Sequence, residues 1–344
     1  MSPATQRVAV YHSNSDVRLE ERPVPEIGPG EILVRIAASG ICGSDVMEWY
    51  RIKKAPLILG HEIAGTVARV GEAVEHLAVG DRVTVTHHVP CGTCRRCLHG
   101  HEEMCDTLRT TSFEPGGFCE FVRVPALQTR VGTFRIPDEL SMVEGSFSEP
   151  LGCVVRGQRE AGVQPGLNVA VLGAGLSGLL HVKLARALGA GVIVATDMHP
   201  CRLEAAERFG ADAALTPDAD LAGKIQALTG GPLADVVIVA TGAPAAFARA
   251  PSLAEPGGTV LCFALPEPGA DVPLDLWQIW NKGLTLATTY ASPPRDTLTA
   301  LELIRSKRVT VEDMVSHRLP LEAAGEGFRL TAEGRDCLKV VLEP

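Results

Sequence analysis

The chain has 344 residues, 46% of them apolar and 21% charged, a length beyond one average domain and a composition typical of a soluble globular protein with two buried cores. A formal net charge of -9 argues against a nucleic-acid partner, because that binding rests on clustered Lys and Arg. No apolar run nears the roughly 20 residues that span a bilayer and no basic-then-apolar leader opens the chain, so a cytoplasmic protein without a membrane partner is expected.

In chain order, the first third reads as short strands broken by turn residues. "EILVRIAASGICGSD" and "GTVARVGEAVEHLAVGDRVTVT" are rich in β-branched residues with glycine punctuation, the pattern of an antiparallel β-rich unit. A cysteine-dense stretch, "CGTCRRCLHGHEEMC", follows. From Gly166 the texture changes: "NVAVLGAGLSGLLHVKLARALGAGVIVATD" is an apolar strand, a glycine turn, a helix-period segment and a second apolar strand. Further alternation through "ADVVIVATGAP" and "GGTVLCFAL" predicts an α/β unit with a parallel sheet. After about Leu286, "RDTLTALELIRSKRV" reads as a helix and "CLKVVLEP" as a closing strand.

Ten cysteines in a long cytosolic chain point to metal where they cluster. Cys91, Cys94, Cys97 and Cys105 do so, and four thiolates from one short lobe can surround a tetrahedral zinc at about 2.3 Å. An iron–sulfur cluster is the competing use of four cysteines. With every position filled such a zinc is structural, so catalytic chemistry belongs elsewhere. Cys42, His61, Glu62 and Glu149 supply the thiolate, imidazole and carboxylates suited to a zinc with an open position, but spacing alone leaves open whether they meet.

Gly173-x-Gly175-x-x-Gly178 follows the apolar run Val169–Leu172 and opens a helical segment. The first glycine serves a tight turn, the second lets a pyrophosphate approach the backbone, and the third lets helix pack on strand. Asp197 ends the next strand, 19 residues beyond Gly178, where a carboxylate can accept from an adenosine ribose; capping of the helix that follows is the alternative use. Arg202 lies close enough in sequence to soften a preference for NAD over NADP.

The ordered motifs "GICGSD", "LGHEIAGTV", "GDRV", the four-cysteine lobe, "SEPLGCV", "VLGAGLSG", "TG" and "HRLPLEAA" resemble the zinc-containing medium-chain dehydrogenases, in particular their sorbitol (polyol) dehydrogenase branch. The resemblance runs through nearly the whole chain. It implies a GroES-like β-rich catalytic domain over 1–151 with a structural zinc lobe at about 87–110. A Rossmann doubly wound parallel-sheet coenzyme domain follows over 152–286, with 287–344 returning to the catalytic domain and a cleft between the two. Cys42 and His61 stand at the positions of catalytic zinc ligands, with Glu62 and Glu149 at those of the acidic ligand and its alternate or water-mediated partner. Asp45 matches the carboxylate that orients the histidine, a role that zinc-bound imidazoles commonly require. Ser44 matches the hydroxyl that begins proton removal from the alcohol, with capping of the next helix as its other reading. Leu176 and Ser177 in the glycine turn and Thr241 of the "TG" pair complete the coenzyme positions.

These readings imply zinc-dependent hydride transfer between a secondary alcohol (polyol, cyclitol or sugar-like) and NAD; the family resemblance alone implies a homotetramer, or else a dimer. An L-threonine or simple secondary-alcohol substrate is the alternative, and a non-catalytic NAD-binding, crystallin-like relative is the alternative of another class. One position departs from the pattern: where much of the family has a relay histidine five residues past the zinc cysteine, this chain has Met47, which cannot carry a proton. His87 and His88 are expected to be solvent-facing or core-bonded rather than to replace it, Trp49 and Tyr50 to line a pocket or simply pack, and Cys153 to be a buried thiol.

Overall fold

The computed structural model describes residues 3–335 and 337–344. The chain divides into two units: residues 1–152 with 291–344, and residues 153–290. The first unit is thus discontinuous in sequence, and the second is an insertion within it.

In the first unit the strand Ile32–Gly40 is buried along most of both faces, as its near-continuous apolar sequence requires. It pairs antiparallel with Glu62–Val70 on one side and with Phe121–Val124 and Val340–Glu343 on the other. Arg82–Val85 and Thr133–Arg135 extend the sheet beyond Glu62–Val70, and His317–Pro320 extends it beyond Val340–Glu343 in the parallel sense. A three-stranded sheet of Asp16–Pro23, Thr5–Ser13 and Leu57–Ile58 covers a shared core that includes Val8, Ile36, Ile63, Val83 and Val122.

The second unit is a six-stranded sheet, parallel throughout, in the order Ala213–Leu215, Ile193–Thr196, Val169–Leu172, Ala234–Val239, Ala254–Cys262, Thr285–Thr288. The strands at its centre, Val169–Leu172 and Ile193–Thr196, are buried at every position, which explains their unbroken apolar text. The order reverses at Val169–Leu172, so the carboxyl end of that strand is the topological switch point at which such sheets bind ligands. The boundary expected at 286/287 falls inside the last strand. Its residues pair with Thr259–Cys262, and the unit runs on to Tyr290.

Candidate metal centre and coenzyme turn

Register brings the first constellation together. Gly40 stands opposite Glu62 in the antiparallel pair, so Cys42, two residues past the end of one strand, meets His61 and Glu62 at the start of the other. Cys42 Sγ, a His61 ring nitrogen and a Glu62 carboxylate oxygen lie within 4.8 Å of one another. Two glycines make room for this. A Cβ on Gly40 would overlap the Glu62 carboxylate, and Gly60 turns the chain into His61 at φ +91°, where a Cβ would sit 2.7 Å from the Phe118 ring.

Each ligand is held from behind. His61 Nδ1 lies 3.4 Å from Asp45 Oδ1, which leaves Nε2 as its free donor position. Asp45 is fully buried, and its other oxygen accepts from the Cys42 amide at 3.1 Å. Burial works against a charged His61 ring, but the Asp45 carboxylate and the Cys42 sulfur outweigh it and hold the ring well above the usual imidazole range. Glu62, 1% exposed, is paired through Oε2 with the equally buried Lys339 ammonium, which also donates to the Ile41 carbonyl at 3.0 Å. Its Oε1 is buried without a hydrogen bond among the described residues. An orphaned carboxylate oxygen beside a thiol and an imidazole is an acceptor set that a cation satisfies, so the residues present fit a catalytic zinc.

Glu149 lies outside this close set. It is buried in the first turn of the helix Ser148–Glu160, and that turn is tied to Arg82–Val85 by the Ser148–Thr84 hydroxyl contact at 2.9 Å. Its Oε1 is 3.8 Å from His87 Nδ1. Of the two expected arrangements, solvent-facing or core-bonded, these histidines take the interior one, with His87 packing its ring on His61 at 4.8 Å and on His88 at 3.8 Å. Burial, then the charges of His88, His61 and Arg51, pushes His87 well below the usual range. Burial, with His61, takes His88 to about 4.

Ser44 does not cap a helix: the helix Glu48–Arg51 begins after Met47. Its amide instead points at Cys42 Sγ, 3.5 Å away. Met47 is that helix's capping residue and offers no side-chain cap bond. Trp49 and Tyr50 pack on each other at 5.8 Å, with Tyr50 exposed and flanked by Arg51 and Lys54. Cys153 is half-buried in the helix Ser148–Glu160. Lys339 and Arg51 were missed from sequence. The signal for Lys339 was available, as a lone cation immediately before the apolar closing strand Val340–Glu343.

The sulfurs of Cys91, Cys94, Cys97 and Cys105 also lie within 4.8 Å of one another. The Cys94–Cys97 and Cys91–Cys97 separations, 3.5 and 4.0 Å, bracket the ~3.8 Å edge of a tetrahedron with arms of about 2.3 Å. Gly92 at φ +74° and Gly100 at φ +83° make the tight turns of the lobe. The backbone N–H groups of Thr93 and Cys94 lower the Cys91 thiol to about 6, while burial and the neighbouring Cys94 sulfur push Cys97 up to about 12, so the metal-free lobe favours a thiolate at Cys91 and a thiol at Cys97. These sulfurs fit a structural zinc.

In the second unit the three glycines divide their labour. Gly173 takes φ +98° and lies against Thr241, where a Cβ would come within 2.9 Å of the threonine Cβ. Gly175 caps the helix Leu176–Ala187, with nothing within 4 Å of where its Cβ would stand. At Gly178 a Cβ would collide with the Gly173 carbonyl. Leu176 and Ser177 form the first turn, whose N–H groups and dipole favour phosphate. Asp197 follows the strand Ile193–Thr196 and accepts from Ala174 N–H at 2.8 Å and His199 N–H at 3.0 Å, with Arg202 at 3.5 Å. It therefore ties the glycine turn to the neighbouring strand end, while His199 is the residue that caps the next helix.

Residues 28–138 match the alcohol dehydrogenase GroES-like domain and residues 178–306 the zinc-binding dehydrogenase domain. The chain belongs to this family of zinc-binding alcohol dehydrogenases. It is 33% identical to the sorbitol dehydrogenase of Gallus gallus, over 100% of this chain and 98% of the relative. The alcohol dehydrogenase of Thermus sp. ATN1 superposes with a TM-score of 0.87 at 31% identity, covering 98% of this chain and 99% of that one. A zinc-binding dehydrogenase of Sinorhizobium meliloti 1021 bound to NADP superposes with a TM-score of 0.88 at 29% identity, covering 99% and 100%. The protein is a zinc-dependent oxidoreductase of alcohols whose cofactors are zinc and NAD.

Proposed function

We propose that the protein oxidises a secondary alcohol flanked by further hydroxyls, such as a polyol, cyclitol or sugar-like compound, with NAD as hydride acceptor. The observation that carries this reading is the close Cys42–His61–Glu62 set with its buried, orphaned carboxylate oxygen. The relative named sorbitol dehydrogenase supports the substrate class. Cys42, His61 and Glu62 hold the catalytic zinc, Glu149 stands by as the alternate carboxylate, and the four lobe cysteines hold the structural one. When bound, zinc supplies Lewis acidity to an alcohol oxygen and the nicotinamide supplies the hydride acceptor.

Asp45 fixes the His61 ring through Nδ1. Lys339 balances the Glu62 charge in a site where an unpaired carboxylate would be costly. The Ser44 hydroxyl accepts the alcohol proton and passes it to water, since Met47 offers no next station. Gly173, Gly175, Leu176, Ser177, Gly178 and Thr241 cradle the coenzyme. Asp197 prefers a ribose hydroxyl to a 2′-phosphate, and the neighbouring Arg202 moderates that preference. The retained ligands count against a non-catalytic, crystallin-like role.

The protein works in the cytoplasm as a homo-oligomer. An open edge strand, Thr285–Thr288, and the exposed Leu276, Trp277 and Trp280 beside it in sequence support assembly through the second unit.

NADH formation measured over polyols, inositols, sugars, threonine and simple alcohols tests the reading, together with elemental analysis, for which about two zincs per chain are expected. Cys42→Ser should abolish turnover with the fold retained, whereas Cys94→Ser should chiefly lower thermal stability. Full activity in a well-folded Cys42→Ser protein would remove the catalytic assignment. Turnover confined to threonine would remove the polyol one.

A further inference from the structure

Arg51 ends the short helix Glu48–Arg51, and its guanidinium turns back onto the loop that carries Ser44 and Asp45. Nε donates to the Ser44 carbonyl at 2.9 Å, and one terminal nitrogen donates to Ser44 Oγ at 3.3 Å. The same nitrogen lies 3.6 Å from Asp45 Oδ1. The side chain is only 15% exposed, and the guanidinium packs 4.8 Å from the Tyr50 ring centre. These contacts set it apart from the neighbouring Lys53 and Lys54, which are exposed.

A serine hydroxyl has one proton to give and two lone pairs with which to accept. A guanidinium only donates, so the Arg51 contact occupies one lone pair and obliges the Ser44 O–H to point elsewhere. One lone pair then remains for an incoming alcohol proton. The second contact of the fork, to the carbonyl of the same residue, fixes the backbone that carries the hydroxyl. Arginine stays protonated at all working pH values, so it cannot serve as the next station of a relay.

We infer that Arg51 is the positioning residue of the proton-removing serine: its fork sets the Ser44 rotamer and hydroxyl direction, and the residue itself never exchanges a proton. This rests on the Ser44 role proposed above. Arg51 also shares Asp45 Oδ1 with His61, which offers a competing route through His61 to the metal ligands.

A double-mutant cycle separates the two routes. Ser44→Ala, Arg51→Met, the double variant and Arg51→Lys are compared for kcat, for KM of alcohol and NAD, for zinc content, and for coupling in denaturant unfolding. Arg51→Met should lower kcat roughly ten- to a hundredfold, the loss expected of a hydrogen bond from a charged group, with the NAD KM and zinc content unchanged. Arg51→Lys, which keeps the charge without the fork, should fall between. In the Ser44→Ala background, Arg51→Met should cost nothing further in kcat, and the unfolding free energies of the pair should be non-additive. An equal kcat loss in both backgrounds, or zinc lost with Arg51, overturns the inference and leaves the Ser44 reading standing. Undiminished turnover of Ser44→Ala overturns the Ser44 reading itself. If Arg51→Met does not fold, Arg51→Lys in both backgrounds carries the same comparison.

Discussion

His181 is an imidazole in a place that refuses its charge. It is fully buried in the helix Leu176–Ala187, packs edge-on against Phe263 at 4.5 Å and takes its polar contacts from Gln158. Burial lowers its pKa from 6.5 to about 3. Between those values the unfolded chain binds a proton that the folded chain does not, so stability falls as the pH drops below the unfolded value. The slope is up to about 1.4 kcal/mol per pH unit. Relative to wild type, His181→Gln should therefore gain about 2 kcal/mol on going from pH 7 to pH 5 in denaturant unfolding. Parallel pH slopes for the two proteins would sink this account. The same scale shows what sequence can carry. The four lobe cysteines declare themselves by spacing, because sulfurs so near in the chain meet through local turns. Cys42 is far in the chain from the adjacent His61 and Glu62 and joins them only through strand register, so the resemblance rather than the spacing named the set. Arg51 gave no signal at all, since its role depends on a guanidinium folding back seven residues onto Ser44.

Among elements, the glycine turn was the most legible, because each glycine answers a separate steric demand. The expected apolar run Val169–Leu172 is the observed strand, with the helix opening at Leu176. That division of labour yields a paired prediction. Gly175→Ala meets only open space at an ordinary φ of -69°, so the melting temperature should stay within a few degrees while NAD affinity falls. Gly178→Ala drives a methyl into a backbone carbonyl and should cost several kcal/mol, on the order of the ~1–3 kcal/mol of overpacking or more. Calorimetry and coenzyme titration on both variants decide it, and equal melting temperatures would contradict the steric reading. The end of the second unit was less legible. Thr285–Thr288 is a mostly exposed edge strand, so its text lacks the apolar run that marks the central ones.

At the scale of the whole molecule, the apolar surface at Leu276, Trp277 and Trp280 is the feature least explained by a lone chain: all three side chains are about 70% exposed, and the two indoles meet at a tilt of 36° with ring centres 5.1 Å apart. Trp277→Glu combined with Trp280→Glu should reduce the mass measured by light scattering, with circular dichroism unchanged. An unaltered mass would count against assembly through this face. The interrupted course of the chain has a consequence for its synthesis. Lys339 follows its partner Glu62 by 277 positions, and the strand Val340–Glu343, which flanks Ile32–Gly40, is translated later still. At roughly 5–20 residues per second, the nascent carboxylate waits on the order of tens of seconds for its ammonium. Residues 153–290, by contrast, leave the ribosome as one uninterrupted stretch holding every strand of their sheet. A chain halted just short of Lys339 would thus hold every strand of the second sheet while Glu62 still lacked the ammonium that pairs with it.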